Sequence, residues 1–239
     1  MQAPVQGRAT GDALPLKFNG ILLIAGAGTV ERDLLVKLAD RAEGLVGADR
    51  GGDLLIEAGL VPDAVIGDLD SVADPSGFPG RTRVIALPEQ DTTDFEKCLY
   101  CTSAPVTVAL GMTGERFDHT LAALHVVARY AAKGRRIVLI DEHDLAYGIA
   151  GSMRIRVGKG ARISIYPLGR TRFLRSTGLL YPLDGLEMEQ GKAIGTSNQA
   201  IADVISIEVA PGVQDPWLLI LDRGLLDPVL AGILEQPGS

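Results

Sequence analysis

The stretch AVIGDLDSV at 64–72 runs from a short apolar segment straight into two aspartates, Asp68 and Asp70. How its first half is read decides the fold. An apolar run without polar alternation suits a strand buried on both faces, which is the habit of parallel sheets flanked by helices. Five other runs share the pattern: ILLIA (21–25), GLVGA (44–48), RVIAL (83–87), VTVAL (106–110) and IVLID (137–141). Amphipathic stretches separate most of them, namely ERDLLVKLADRA, GGDLLIEAGL, TTDFEKCLYC and DHTLAALHVVARYAAKG. The last closes at Gly134, as a helix C-terminus should. Residues 18–146 therefore read as an α/β domain.

After Tyr147 the apolar period shortens from 3.6 to 2. In MRIRVGKGARISIYP (153–167) a Gly158-Lys159-Gly160 loop joins two alternating runs. A hairpin pairing Val157 with Ala161 would put Ile155 opposite Ile163. AIADVISIEVA and WLLILD add strands, with turns expected at GTSNQ (195–199) and PGVQDP (211–216). Residues 147–223 thus read as an antiparallel sandwich or barrel, with a short helix in the tail LLDPVLAGILEQPGS. Residues 1–17 are expected to be disordered.

Composition narrows the function. The chain has 239 residues, 46% of them hydrophobic, enough for a substantial core. Against 30 acidic side chains stand 23 Lys and Arg, a formal net charge of -7, and no long basic run offers a track for a phosphate backbone, so no nucleic acid is expected. No apolar run approaches the roughly 18 residues of a membrane span, and the first residues carry no apolar signal-peptide core, so the expectation is a cytoplasmic protein off the membrane. The two cysteines, Cys98 and Cys101, form one CxxC inside a helical pattern. Core packing is expected of them rather than zinc or redox chemistry.

In an open parallel sheet, ligands sit at the carboxyl ends of the strands, and here those ends are acidic. Asp49 follows the second run, Asp68 and Asp70 the third, Gln90, Asp91 and Asp94 the fourth, Arg116 and Asp118 the fifth. If the backbone stays extended through 68–70, both acids face one volume. At about 4 Å and an effective dielectric near 20 they repel by roughly 4 kcal/mol, so the pair needs a cation, a proton or open water. Each acid also has a local explanation: a solvated turn for Asp68 and Asp70, a helix cap for Asp91 or Asp118, and a capping box for Thr93 with Glu96. The set as a whole, hard oxygen ligands without sulfur or paired histidines, suits Mg²⁺. Gly26 and Gly28 would bring backbone amides near a nucleotide, but Glu31 replaces the third glycine of a dinucleotide fingerprint, and no Walker motif is present. Lys97 and Arg116 are phosphate partners or partners of nearby acids.

The segments ADRGG (48–52), GDLDSV (67–72), QDTTDFEKCL (90–99) and GERFDHTLA (114–122) resemble, in order and spacing, the signatures of the thiamine pyrophosphokinase family. TGLLYPLDG (177–185) and GTSNQ resemble its thiamine-site segments, so the likeness runs over about residues 20–222. It implies a mostly parallel, Rossmann-like α/β domain over 18–146 that binds ATP and Mg²⁺, and a thiamine-binding β-sandwich over 147–239. It also implies a homodimer with active sites between subunits, transferring pyrophosphate from ATP to the thiamine hydroxyl. Carried over residue by residue, Asp68, Asp70 and Asp94 form the Mg²⁺ shell. Asp49 and Asp118 stand nearby, and the proton acceptor comes from these acids, with Asp70 first. Gln90, Lys97, Arg116 and Asp118 fall at ATP positions; Tyr181, Thr196, Ser197 and Asn198 fall at thiamine positions. Tyr181 stands where the family often has Trp. Two other readings compete. DLDSV also fits the DxDx[TV] pattern of haloacid-dehalogenase phosphatases, with Asp68 as nucleophile, and a sensor would bind the same ligands without turnover.

Overall fold

Leu22, Leu23, Ile24, Val46, Val65, Ile66 and Val108 are all fully buried, which is why the apolar runs that hold them become interior strands. They belong to a computed structural model of the chain that describes residues 14–212 and 215–235. The chain divides into two units between Ala123 and Leu124.

In the first unit, β1 (Leu16–Lys17) precedes β2 (Ile21–Ala25), α1 (Arg32–Ala39), β3 (Gly44–Ala48), α2 (Gly51–Glu57), β4 (Ala64–Gly67) and β5 (Arg83–Ala86). Then come α3 (Asp94–Cys101), β6 (Thr102–Ser103), β7 (Val106–Leu110) and the start of α4 (Phe117–Ala131). The strands lie in the order β7-β2-β3-β4-β5, all parallel. From β2 the chain steps outward to β5, then returns to the other side of β2 for β7. That reversal makes the carboxyl ends of β2 and β7 a topological switch point. Cys98 and Cys101 face the core from α3, 0% and 1% exposed, and burial pushes the Cys101 thiol up to about 12. The expectation of disorder through residue 17 fails at its end: Leu16 and Lys17 pair with Thr102 and Ser103. Residues 1–13 lie outside the described residues.

The second unit holds β8 (Ile137–Ile140), β9 (Asp144–Ile149), β10 (Met153–Arg156), β11 (Arg162–Pro167), β12 (Thr171–Thr177) and β13 (Glu187–Met188). They are followed by β14 (Gly195–Gln199), β15 (Val204–Val209), β16 (Trp217–Asp222), a short 3-10 turn and α5 (Leu226–Glu235). Two antiparallel arrays result, β14-β11-β16-β9-β8 and β10-β15-β12-β13. Phe173 of one meets Trp217 of the other edge-on, with ring centroids 5.7 Å apart.

The expected hairpin over 153–167 does not form. β10 pairs with β15, placing Ile155 opposite Ile205, while β11 pairs with β16, placing Ile163 opposite Leu221. Alternation is satisfied by any antiparallel partner, so it could not choose between them. The loop itself is claimed from elsewhere: the amides of Val157 and Gly158 donate to Asp203 O at 2.9 and 3.1 Å, and that of Gly160 to Ala200 O at 2.8 Å. GTSNQ is likewise not a turn but the irregular edge strand β14, paired with β11 across a bulge. Of PGVQDP, residues 213 and 214 lie outside the described residues. No helix among the described residues is long and apolar enough to cross a membrane.

Candidate active site

Beyond β3 the chain must turn sharply to start α2 close against the sheet. Gly51 makes this possible, since a Cβ there would lie 1.8 Å from Ala25 O. The turn residue is Asp49, held at φ 50°, whose amide donates to Ile66 O at 2.9 Å. Its side chain is buried. Oδ2 accepts from Ser71 Oγ, while Oδ1 is shut off from solvent with no hydrogen-bond partner among the described residues.

β4 ends at Gly67, and the next residues leave the extended form: Leu69 has φ 66°. The extended backbone supposed for 68–70 is therefore absent, yet the two carboxylates still lie close enough to interact. Asp68 Oδ2 accepts from Gln90 Nε2 at 2.9 Å, and its Oδ1 accepts the Asp70 amide at 3.3 Å. The Gln90 bond holds the Asp68 carboxyl below its ordinary value. Asp70 is exposed, and the charge of Asp68 raises its pKa.

α3 supplies the third acid. Thr93 caps it by accepting from the Glu96 amide at 3.2 Å, which confirms the Thr93 half of the expected capping box. Asp94, the first helical residue, then meets Lys97 Nζ at 3.1 Å. The Lys97 side chain is only 2% exposed, so loss of this partner would leave a buried group unpaired. Burial raises the Asp94 pKa, with Lys97 opposing.

Carboxylate oxygens of Asp49, Asp68 and Asp94 all lie within 4.8 Å of one another. Gly67 leaves the space between them: a Cβ there would stand 2.9 Å from Asp49 Cβ and 3.1 Å from Asp94 Oδ1. Three hard oxygen donors around an unpartnered buried oxygen fit a divalent cation such as Mg²⁺. Asp49 thus joins Asp68 and Asp94 in this group, while Asp70, also expected in the metal shell, feels the charge of all three from its exposed position. Ser71 was missed, although its position beside the aspartates in DLDS was the signal.

The other predicted positions are distributed as follows. Asp118 is outside the cluster, gripped by Arg116 through Nε at 3.2 Å and Nη2 at 2.7 Å on the exposed start of α4. Gly26 and Gly28 do not offer free amides, because these donate to Leu110 O at 2.8 Å and Gly111 O at 3.0 Å. Across the same switch point Thr29 Oγ1 donates to Glu115 Oε1 at 2.7 Å. In the second unit Tyr181 is 63% exposed and Asn198 is buried. Asn198 Oδ1 accepts the Tyr181 amide at 3.0 Å and the Gln199 amide at 2.8 Å, while its Nδ2 donates to Tyr181 O at 2.7 Å. Thr196 and Ser197 are exposed, with the Ser197 amide on Ser164 Oγ at 3.0 Å.

Residues 35–139 match the family model described as "Thiamin pyrophosphokinase, catalytic domain", and residues 152–213 match "Thiamin pyrophosphokinase, vitamin B1 binding domain". The chain belongs to the thiamin pyrophosphokinase family. Among relatives, this family member is 32% identical over 166 residues to thiamine pyrophosphokinase 1 of Arabidopsis thaliana, covering 62% of this chain and 61% of the relative. It is 26% identical over 178 residues to thiamine pyrophosphokinase of Bacillus subtilis, covering 70% and 83%. The match thus spans less than two thirds of the length of the plant relatives. The crystal structure of thiamin pyrophosphokinase from Geobacillus thermodenitrificans shares the fold, with a TM-score of 0.70 at 24% identity over 85% of this chain and 97% of that one. Matches to both domains favour the kinase reading over the phosphatase and sensor readings of DLDSV.

Proposed function

We propose that this protein is a thiamine diphosphokinase, transferring pyrophosphate from ATP to the hydroxyl of thiamine and releasing AMP. The observation that carries the reading is the meeting of Asp49, Asp68 and Asp94 around an unpartnered buried oxygen, in a chain that matches both domains of the family. Residues 18–146 are assigned as the Rossmann-like ATP and Mg²⁺ domain and 147–239 as a β-sandwich for thiamine. The switch point between β2 and β7 and the Phe173–Trp217 contact support these assignments.

Asp49, Asp68 and Asp94 would hold Mg²⁺. A bound Mg²⁺ would supply charge neutralisation for the triphosphate and for the departing AMP oxygen. Gln90 sets the Asp68 carboxylate by its hydrogen bond. Lys97, paired with Asp94, would offset part of the cluster's negative charge from within the protein and help hold the nucleotide phosphates. Arg116, exposed and paired with Asp118 through two nitrogens, would exchange that partner for a phosphate. Asp70, outside the three-oxygen group and open to solvent, is the acceptor for the thiamine hydroxyl proton.

The thiamine side is assigned to Tyr181, Thr196 and Ser197, with Asn198 holding the Tyr181 backbone. The two halves of the site are proposed to come from different subunits of a homodimer, and exposed Leu180, Ile194 and Ile201 near these residues in sequence support a covered face there. A cytoplasmic location fits the buried, unpaired thiols of Cys98 and Cys101. Incubation with thiamine, ATP and Mg²⁺ should yield thiamine diphosphate with one AMP per product. Release of ADP and inorganic phosphate, or no nucleotide turnover, would refute the assignment.

A further inference from the structure

Helix α3 carries Asp94 of the acid cluster, its partner Lys97, and a third residue that the mechanism does not use. Asp94 and Lys97 are three residues apart, and Tyr100 continues the spacing. The Tyr100 ring is partly exposed, so burial does not account for its orientation. Its hydroxyl donates to Glu89 Oε1 at 2.5 Å, and Thr92 Oγ1 donates to the same oxygen at 2.9 Å. Those two bonds lower the Glu89 pKa against the opposing effect of burial, keeping an ionised acceptor in place.

Glu89 immediately precedes Gln90, whose Nε2 reaches Asp68 Oδ2 at 2.9 Å. The loop from β5 to α3 is therefore fastened on both sides of Gln90, by Glu89 to Tyr100 and by Thr93 to the start of α3. A glutamine on an unfastened loop would spread over many rotamers and would cost entropy each time it met Asp68. With Glu89 tied to α3, the loop returns to the helix that also presents Asp94.

We propose that Tyr100 is a positioning residue: acting through Glu89, it holds Gln90 on Asp68 and so keeps the carboxylate cluster in its cation-binding arrangement. The inference rests on the metal site proposed above. It assigns the exposed side of α3 a part in the affinity for the ion, although Tyr100 touches neither the ion nor the substrate.

The test is Mn²⁺ binding to the full-length, metal-free protein, followed by electron paramagnetic resonance of the free ion. Tyr100→Phe should weaken binding by about tenfold, in the range for residues that orient metal ligands. Glu89→Gln should do the same by a second route, and circular dichroism checks that each variant is folded. Combining Tyr100→Phe with Gln90→Ala should weaken binding no further than Gln90→Ala alone, because the coupling passes through Gln90. In turnover, the Mg²⁺ concentration for half-maximal rate should rise while kcat at saturating Mg²⁺ stays near wild type, a split that a general loss of folded protein does not produce. Wild-type Mn²⁺ affinity in Tyr100→Phe, or additive losses in the double variant, would overturn the proposal. The cycle is read on binding alone, so a failure to form thiamine diphosphate would refute the reaction and not the positioning role. Absence of Mn²⁺ binding to the wild-type chain would overturn both.

Discussion

Replacing Gly67 by alanine adds one carbon at the point where the three carboxylates converge. The new Cβ would lie 2.9 Å from Asp49 Cβ, 3.1 Å from Asp94 Oδ1 and 3.2 Å from Asp49 Cα. Unstrained carbon contacts sit at roughly 3.5–4.0 Å, so Asp49 must retreat by about 0.6 Å or more. Gly67 cannot yield instead. β4 is paired with β3 on one side and β5 on the other, and Gly67 O accepts the Leu87 amide at 2.7 Å. Overpacking of this kind costs about 1–3 kcal/mol. A misplacement approaching 1 Å at a reacting centre costs up to about 10²-fold in rate. Denaturant unfolding should therefore show a loss of roughly 1–3 kcal/mol, and product formation followed by chromatography a fall in kcat/KM of roughly 100-fold. Gly80→Ala is the control, since a Cβ there meets nothing within 4 Å and its stability should stay within about 0.5 kcal/mol. Wild-type rate and stability in Gly67→Ala would show that the acids do not converge as described. Lost stability with unchanged activity of the folded fraction would break the link between convergence and turnover.

Asp49→Asn should remove both turnover and the thermal stabilisation given by Mg²⁺, because it withdraws one of three oxygen donors; retention of either by the variant would exclude Asp49 from the metal site. Without the ion, the raised folded-state pKa of Asp94 makes its own contribution to stability fully present below the unfolded value of about 3.9 and lost as pH rises through the folded value. Mg²⁺ requires the ionised form, so its stabilising effect should grow from the acid side towards neutral pH, and an equal effect at both ends would contradict the assignment. Asn198→Ala removes three hydrogen bonds at 3.0, 2.8 and 2.7 Å around Tyr181 and Gln199. A loss of about 1–3 kcal/mol is expected, with KM for thiamine rising more than KM for ATP; equal rises would place Asn198 away from the thiamine side. Cys98 and Cys101 are both buried, so a thiol reagent should label neither in the native protein and both in denaturant, and rapid native labelling would refute the core assignment.

Much of the first unit was legible because its strands announce themselves by burial on both faces. ILLIA, GLVGA, AVIG and VTVAL coincide with β2, β3, β4 and β7 as read. The second unit was less legible for a physical reason. Its strands alternate, alternation specifies a face but not a partner, and the partners of β10 and β11 are brought in from far along the chain. GTSNQ is built from turn-forming residues yet makes an edge strand, where only one side needs pairing and polar residues are tolerated. At the site, residue type and strand-end position found Asp49, Asp68 and Asp94. They could not show which three carboxylates converge, because that depends on local backbone angles, among them the φ of 66° at Leu69.

That leucine supports a final prediction. Among the described residues, those other than glycine with positive φ are Asp49 at 50°, Leu69 at 66° and Ser197 at 59°, each within a segment singled out for chemistry. For an L-residue the left-handed region costs about 1–2 kcal/mol, so Leu69 stays there only because the surroundings require it. At this turn Asp68 joins Asp49 and Asp94 while Asp70 stays exposed, still close enough to Asp68 for that charge to raise its pKa. If this turn divides the two roles, backbone preference should matter more at position 69 than apolar character. Leu69→Asn, which accepts the left-handed region, should keep more activity than Leu69→Val, whose branched side chain resists it. Parallel measurements of Mn²⁺ affinity and kcat/KM decide the matter. A valine variant that outperforms the asparagine variant in both would mean that Leu69 acts by packing and not by its backbone angle.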